Sequence, residues 1–334
     1  MNGNNGESES GICPAISIVV PARNEGKRIA HCLEALRHQS LDRGTYEVIV
    51  IDDGSEDDTA DVAARQDVRV IRQPAKGAAA ARNRGIDEAR GEIILFTDAD
   101  CIPEERWAER LSAPLTQPDV QGAVGRIITR QDHWVARLTQ VELNERYSRM
   151  GRQKRIDFVG SGTCGFKRSL LCRNRFDESF GWAEDLELSF RLANGGNRMV
   201  FVPDAVVEHD HPEGLLAYMR RKFCYASYAP RIYRKYPNKV FSDSRTPSNL
   251  RWQILLVVLA LASAPAAILS AGMAFFSLAC LMGAVALTYP VCQRAARKSA
   301  ALGFVAPLFI LTGNLAFAAG TVWGMVSGAG FRTR

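Results

Sequence analysis

Two long stretches without a charged residue constrain the fold of this 334-residue chain more than any other feature. They cover residues 252–293 and 299–330 and hold 42 and 32 residues. A helix needs about 20 consecutive apolar residues to cross a hydrocarbon core roughly 30 Å thick. We therefore predict three transmembrane helices, at about 252–270, 273–292 and 303–327. The alternative is a helical hairpin buried inside a soluble protein.

The positions of Lys and Arg predict which side of the membrane the rest of the chain occupies. Nine of these residues lie between 214 and 251, and three more follow the second predicted span. The opposite side receives two, near the C-terminus. Cytoplasmic flanks of membrane helices carry an excess of Lys and Arg. The distribution predicts a multi-pass membrane protein whose N-terminal part is cytoplasmic, and the polar first ten residues predict no signal peptide.

The N-terminal part has the pattern of an α/β domain. With 47% hydrophobic residues and a net charge of +6, the chain is not disordered over most of its length. Apolar strands alternate with helical segments of about 10–15 residues, which predicts a mostly parallel sheet with helices on both faces. The predicted domains are a disordered tail at 1–13, the α/β domain at 14–212, a basic and aromatic interfacial segment at 213–251, and membrane helices at 252–330.

Each apolar strand of this domain ends in a cluster of polar residues. The strands are predicted at 15–20, 46–51, 68–71 and 92–97, with helices at 26–39, 57–66 and 77–89 between them. In open parallel sheets, ligands bind outside the carboxyl ends of the strands. The polar clusters at 21–25, 52–55 and 98–100 are therefore predicted to line a binding site.

Asp98 and Asp100 follow the fourth strand, two residues apart. Two carboxylates at this spacing can share a hard divalent cation, and Mg²⁺ or Mn²⁺ prefer such oxygen ligands and bridge readily to a diphosphate. A solvated turn is the alternative. The position directly after a buried strand favours the site.

Two further stretches can contact a nucleotide. Asp53 ends the second strand, where its carboxylate can accept hydrogen bonds from a nucleobase or ribose, or can cap the next helix instead. Small residues at 77–85 permit close backbone approach, and Lys76, Arg82 and Arg84 can face a pyrophosphate. A plain alanine-rich helix is the other interpretation of that segment.

Glu184 and Asp185 open a helix that runs to about residue 192. Carboxylates are electrostatically favoured at a helix N-terminus, so a capping pair is one interpretation. The other is a general base that takes a proton from an acceptor hydroxyl.

Taken together, four motifs resemble those of family 2 glycosyltransferases, over about residues 15–212. They are residues 20–25 (VPARNE), 50–55 (VIDDGS), 85–100 with Asp98-Ala-Asp100, and Glu184-Asp185. The resemblance implies a GT-A type fold, a UDP- or GDP-linked sugar donor, a divalent metal (Mg or Mn) and inversion at the anomeric carbon.

The resemblance also implies roles for individual residues. Pro21, Arg23 and Glu25 correspond to the nucleotide-contacting loop, and Asp53 to the base-binding carboxylate. Asp98 corresponds to the ribose or donor contact beside the metal, and Asp100 to the metal ligand. Asp185 corresponds to the catalytic base, with Glu184 beside it at the acceptor. Arg82 is assigned to the donor on its charge.

The acceptor is predicted to be a hydroxyl of a membrane lipid or lipid-linked saccharide, in glycolipid or cell-envelope polysaccharide synthesis. A polyprenyl-phosphate acceptor is already anionic near pH 7 and has little need of a base. Processive synthases of the family carry Gln-x-x-Arg-Trp, whereas this chain has Arg251-Trp252 without the Gln. A polyprenyl-phosphate glycosyltransferase, a polysaccharide synthase and a non-catalytic binding module are the alternatives.

Three other features bear on the site. Seven Lys and Arg residues lie among six aromatic residues at 214–239. This composition favours an anionic membrane surface over nucleic acid as the partner. His209 and His211 can be metal ligands or part of a loop that shapes the site. The glycine-rich stretch 160–165 can line an acceptor cleft or form a structural turn. The eight cysteines contain no Cys-x-x-Cys pair and are predicted to be reduced thiols.

Overall fold

The computed structural model describes residues 14–240, 243–247 and 249–328. The predicted disordered tail at 1–13 lies outside these residues. The strands are β1 (Ile16–Ala22), β2 (Tyr46–Asp53), β3 (Arg69–Gln73), β4 (Ile93–Thr97), β5 (Cys101–Pro103), β6 (Val120–Ile128), β7 (Thr163–Lys167) and β8 (Arg198–His209). The helices are α1 (Ile29–Arg37), α2 (Thr59–Ala64), α3 (Ala78–Glu88), α4 (Trp107–Ser112), α5 (Trp134–Met150), α6 (Arg168–Arg173), α7 (Glu184–Asn194), α8 (Leu215–Ser227), α9 (Ala229–Lys235), α10 (Leu250–Ala267), α11 (Ala271–Ala286), α12 (Tyr289–Lys298) and α13 (Ala300–Ser327).

The eight strands form one sheet in the order β3-β2-β1-β4-β7-β6-β8-β5. The first four strands in this order are parallel, which confirms the predicted α/β class and all four predicted strands. The other half is mixed: β7 is antiparallel to β4 and β6, and β8 is parallel to β6. Because β1 lies between β2 and β4, a crevice forms where the carboxyl ends of these three strands meet.

The sheet is covered by helices on both faces, as predicted. Strand β1 shows why: Ile18 and Val20 face one hydrophobic cluster, while Val19 between them faces the other. Side chains of α1, α2 and α4 complete the first cluster, and those of α3, α6 and α7 complete the second. A strand buried on both faces is apolar at nearly every position, which explains the apolar sequence of β1 apart from the hydrogen-bonded Ser17.

The C-terminal helices match the three predicted spans in part. Among the described residues, α13 is long and apolar enough to cross a membrane by itself, whereas α10 is shorter. The second predicted span, 273–292, is divided between α11 and α12, which meet at an angle of 51°. Pro290 lies in the first turn of α12, where it lacks the N–H that a continuous helix would direct to the carbonyl of Ala286. By length and composition, one helix of the described part of the chain could cross a membrane, and three full-length spans are not supported.

The basic and aromatic segment after the sheet is packed against α13. Tyr218 of α8 stacks on Phe309 of α13, with ring centroids 4.1 Å apart. Gly320 and Gly324 face the backbone of α8, so closely that a Cβ at either position would overlap a carbonyl oxygen of that helix. Small residues let two helices approach in this way. The packing of α13 on α8 therefore joins the apolar helices to the α/β domain.

We expect Gly324→Ala to destabilise this contact. The new Cβ would meet the carbonyl oxygen of Ser227, and such overpacking costs about 1–3 kcal/mol. The matched control is Gly272→Ala in α11, where the nearest atom is the Ser270 hydroxyl at 3.6 Å. Alanine there should be neutral or stabilising, because glycine costs about 1 kcal/mol in a helix. Thermal unfolding of both variants in one detergent tests this, and equal midpoints would contradict the packing.

Candidate active site

A cavity of about 580 Å³ opens at the carboxyl ends of β1, β2 and β4. We call it the donor cavity. All seven residues that the sequence assigned to the donor or the metal line it: Pro21, Arg23, Glu25, Asp53, Arg82, Asp98 and Asp100. Strands that are distant in sequence but adjacent in the sheet bring these residues together. Their individual roles stay predictions.

Asp53 holds the chain that enters α3. Its carboxylate accepts hydrogen bonds from the backbone N–H groups of Lys76 and Gly77, at 2.9 and 2.7 Å, and from the side chain of Gln73 at 2.7 Å. The next residue, Gly54, has φ +68°, and a Cβ there would lie 2.7 Å from the backbone nitrogen of Ala75. The close approach of these two loops shapes the wall of the donor cavity. A carboxylate has about four lone-pair positions, so Asp53 retains capacity for a ligand.

Arg82 is buried between two carboxylates. Its guanidinium donates to Asp98 Oδ1 at 2.9 Å and to Glu184 Oε1 at 2.6 Å. Burial raises the pKa of Glu184 to about 7; the charge of Arg82 opposes this effect and the neighbouring Asp185 adds to it. A charge buried at this depth needs such partners, because an isolated one costs several kcal/mol. Arg82 therefore connects the end of β4 to the start of α7.

The end of β4 carries the candidate metal site. Ligand atoms of Asp98, Asp100 and Cys101 lie within 4.8 Å of one another. Burial raises the pKa of the Cys101 thiol well above its usual value, so the sulfur stays protonated and is a poor ligand. The two carboxylates remain, one of them on Asp98, whose side chain is 36% exposed. Oxygen donors of this kind fit Mg²⁺ or Mn²⁺.

A histidine and an arginine flank Asp100. His209 Nε2 lies 3.4 Å and Arg28 Nη1 lies 3.7 Å from Asp100 Oδ2. Burial acts to raise the pKa of Asp100, but the hydrogen bond and charge of His209, with the charge of Arg28, outweigh it and lower the pKa. His209 reaches this position because β8 pairs with β5, opposite Cys101.

His211 has a different environment from His209. Its Nε2 lies 2.9 Å from Gln140 Oε1, and the ring is buried. Burial, with the charges of His209 and Arg221, lowers the pKa of His211 to about 3, so the ring is neutral at pH 7. His211 thus lines a second cavity, which lies between the sheet and the C-terminal helices, and does not contact the carboxylates at the end of β4.

The second cavity, of about 480 Å³, lies between the sheet and the C-terminal helices. We call it the acceptor cavity. Asp98 lines it as well as the donor cavity, so the two spaces meet there. Gly160 and Gly162 line it, as does Asp185. Its opposite end is lined by residues of α10, α12 and α13, among them Gln253, Pro290, Ile310 and Asn314.

Asp185 is oriented by a tyrosine from α8. Tyr225 Oη donates to Asp185 Oδ1 at 2.5 Å, and the backbone N–H of Leu186 donates to the same oxygen at 2.7 Å. The other carboxylate oxygen is directed towards Gly160. Ala183, just before α7, has the left-handed φ of +64°, which costs about 1–3 kcal/mol for a non-glycine residue and is typical of functional sites.

Two features of the site differ in detail from the sequence interpretation. Glu184 was expected beside Asp185 at the acceptor, but its carboxylate turns towards Arg82. Tyr225 was assigned only to an interfacial segment, although it contacts the predicted base. Nothing in the local sequence pattern signals this contact, because the two residues are 40 positions apart and meet through the packing of α8.

Comparisons with known proteins agree with this architecture. The family described as Glycosyl transferase family 2 matches residues 17–180. A pre-mycofactocin glycosyltransferase of Mycobacterium tuberculosis is 29% identical over 242 residues, which are 67% of this chain and 48% of that protein. An N-acetylglucosaminyltransferase of Azorhizobium caulinodans is 27% identical over 238 residues, which are 64% of this chain and 59% of that protein. The chain thus spans between about half and three fifths of these relatives.

A solved structure shares the fold over most of the chain. It is the mannosyltransferase PcManGT from Pyrobaculum calidifontis, in complex with GDP-Man and Mn²⁺. The TM-score is 0.64 at 21% identity, over 94% of this chain and 88% of that one. The sheet order, the motifs at the strand ends and the matched family agree with one another. Residues 17–180 belong to glycosyl transferase family 2, and the chain has the GT-A type fold.

Proposed function

We propose that this protein is an inverting glycosyltransferase that moves a sugar from a nucleotide-sugar donor to a hydroxyl of a membrane lipid or lipid-linked saccharide. The observation that carries the proposal is the meeting of two cavities at Asp98. One cavity holds the residues assigned to nucleotide and metal, and the other holds Asp185. A sugar bound at the junction would have the leaving group on one side and the acceptor on the other, as a displacement with inversion requires.

The residues of the chain would divide the chemistry as follows. Asp185 takes the proton of the acceptor hydroxyl through the oxygen that Tyr225 does not occupy. Tyr225 and the Leu186 N–H orient that carboxylate. Arg82 holds Asp98 and the start of α7 at a fixed distance where the two cavities meet. A divalent cation held by Asp98 and Asp100 would neutralise charge on the nucleoside diphosphate when bound.

The apolar surface of the C-terminal helices supports a membrane acceptor. Of the 23 large hydrophobic side chains that are exposed in the described part of the chain, 20 lie between Trp252 and Val326. Phe304 and Leu269 are 87% and 89% exposed. Contiguous apolar surface of this extent marks a protein or membrane interaction site. We propose that α10, α11 and α13 insert into the membrane. We also propose that the catalytic domain faces the cytoplasm, because the cytoplasmic flanks of membrane helices are rich in Lys and Arg.

The assignment of the base is tested by Asp185→Asn. The amide keeps the shape but takes no proton, so turnover should fall by about 10²–10⁴-fold. Binding of the nucleotide sugar should be unchanged, because Asp185 does not line the donor cavity. The matched control is Asp61→Asn, a change on the exposed surface of α2. Transfer assays with a membrane-lipid extract measure the rates. Retained turnover would exclude Asp185 as the base and favour an acceptor whose attacking group is itself an anionic oxygen, such as that of a phosphate.

The metal assignment is tested by Asp100→Asn. With one carboxylate fewer, Mn²⁺-dependent binding of the donor should weaken at least about tenfold, because hard cations need charged oxygen ligands. Calorimetric titration of UDP and GDP sugars, with and without Mn²⁺, measures the difference. Asp61→Asn again serves as the control. Donor binding that is equally tight with and without Mn²⁺ in the unmodified protein would contradict a metal site here.

Tyr225→Phe tests the positioning of the base. Loss of a hydrogen bond to a charged group costs about 1.5–3 kcal/mol, so kcat should fall at least about tenfold. The KM for the donor should not change, since Tyr225 lies in the acceptor cavity alone. A variant whose donor KM rises in proportion to the loss of kcat would indicate a general structural defect instead.

A further inference from the structure

The acceptor cavity has an unusual balance of charge. Five cationic side chains line it, together with four carboxylates. The cations are Arg146, Arg149, Arg221, Lys222 and Arg245, and the carboxylates are Asp98, Glu142, Glu145 and Asp185. All four carboxylates already have a partner in the chain. A cation of this set that has no carboxylate partner could bind an anionic ligand.

Two of the cations have carboxylate partners. Lys222 Nζ lies 3.1 Å from Glu142, and Arg149 lies 3.7 Å from Glu145, which Arg294 also contacts at 2.7 Å. Arg221 is exposed at the outer edge of the cavity, where water solvates its charge. These three side chains therefore do not require a ligand.

Arg146 and Arg245 remain. In the part of the chain that the structure describes, no carboxylate lies within the 4.0 Å of an ion pair from either guanidinium. Both lie over the ring of Phe158, at 5.5 and 5.6 Å from its centroid, and Arg245 also lies 3.8 Å from the centroid of Tyr225. Aromatic faces hold the two groups in place without cancelling their charge.

Arg146 also has an unsatisfied hydrogen-bond donor. Its Nε is buried and has no hydrogen-bond partner among the described residues. Burial, with the positive charge of Arg245, lowers the pKa of Arg146 to about 10, so the side chain remains charged at pH 7. Arg146 and Arg245 thus repel each other electrostatically in a partly desolvated setting, which is unfavourable until an anion joins them.

The location of this pair relates it to the proposed reaction. The ring of Tyr225 lies under Arg245, and its hydroxyl donates a hydrogen bond to Asp185. One phenol ring therefore separates the guanidinium from the proposed base. In the other direction the cavity continues to Ile310 and to the Asn314–Gln253 hydrogen bond between α13 and α10. A ligand that fills it would have a hydroxyl near Asp185, an anionic group near the arginines and an apolar part among the helices.

We infer that the acceptor is an anionic lipid whose phosphate or diphosphate group is bound by Arg146 and Arg245. Guanidinium groups bind phosphate oxygens in pairs, which provides both charge and geometry. The inference rests on the proposed function for the identity of the ligand as the acceptor. It adds the chemical class of that acceptor and two residues that select it.

The test uses the full chain in detergent and three probes: dodecyl phosphate, inorganic phosphate and dodecanol. Dodecyl phosphate should bind at least about tenfold more tightly than either of the others, because it alone combines charge with an apolar chain. Arg146→Gln and Arg245→Gln should each weaken its binding about tenfold, the effect of losing a hydrogen bond to a charged group. Arg72→Gln, an exposed arginine on β3, is the control and should have no effect.

The outcomes separate the parts of the inference. Equal binding of dodecanol and dodecyl phosphate would overturn the anion site, and equal binding of inorganic phosphate would overturn the lipid. Arg146→Lys and Arg245→Lys keep the charge, so partial recovery of binding in these variants shows that the Gln variants lose binding through loss of the cation. Retained binding of the nucleotide sugar by the Gln variants shows that they are folded. Binding of Mn²⁺ and nucleotide sugar is measured in the same preparations. Its absence from the unmodified protein would overturn the proposed glycosyl transfer, while its retention with no dodecyl phosphate binding would overturn the anion site alone.

Discussion

The buried guanidinium of Arg82 is the interaction on which the arrangement of the site depends. It joins Asp98, at the end of a central strand, to Glu184, at the start of α7. The two carboxylates are 86 positions apart in sequence, so no local preference would keep them together. Because a buried charge without partners is strongly unfavourable, displacement of either carboxylate carries a large energetic penalty. The end of β4 and the start of α7 are thereby held in a constant relation.

A second constraint comes from the contact between α8 and α13. Glycines on α13 allow the two helices to approach closely, and α8 then carries Tyr225 to Asp185 and Tyr218 to Phe309. The same helix thus orients Asp185 and packs against the apolar helices. One consequence is that the acceptor cavity has walls from both the α/β domain and the C-terminal helices. This cavity therefore extends from Asp185 to the apolar helices.

The extent of what could be predicted differs between the two halves of the sheet. The strands predicted at 15–20, 46–51, 68–71 and 92–97 correspond to β1 to β4, since each is a short, largely apolar segment between helical segments. The mixed half was not predicted, because β6 to β8 pair with strands far away in the chain and their register is set by those partners. The second membrane span was predicted as one helix from its lack of charge, yet Pro290 divides it. The composition of a segment indicates whether it can enter a membrane, but it does not show where the backbone hydrogen bonds of a helix are interrupted.

The sequence by itself determined the family resemblance, the parallel half of the sheet and the set of residues that line the donor cavity, since these depend on apolar segments and on motifs that lie at strand ends. Only the tertiary structure decided that Glu184 faces Arg82 and that Tyr225 orients Asp185. It also decided that two arginines, which have no carboxylate partner among the described residues, share the acceptor cavity with Tyr225 and Asp185. The physical reason is the range of the forces involved. Strand and helix formation are governed largely by neighbours along the chain, whereas the partner of a buried charge is whichever group the packing brings within a few ångströms.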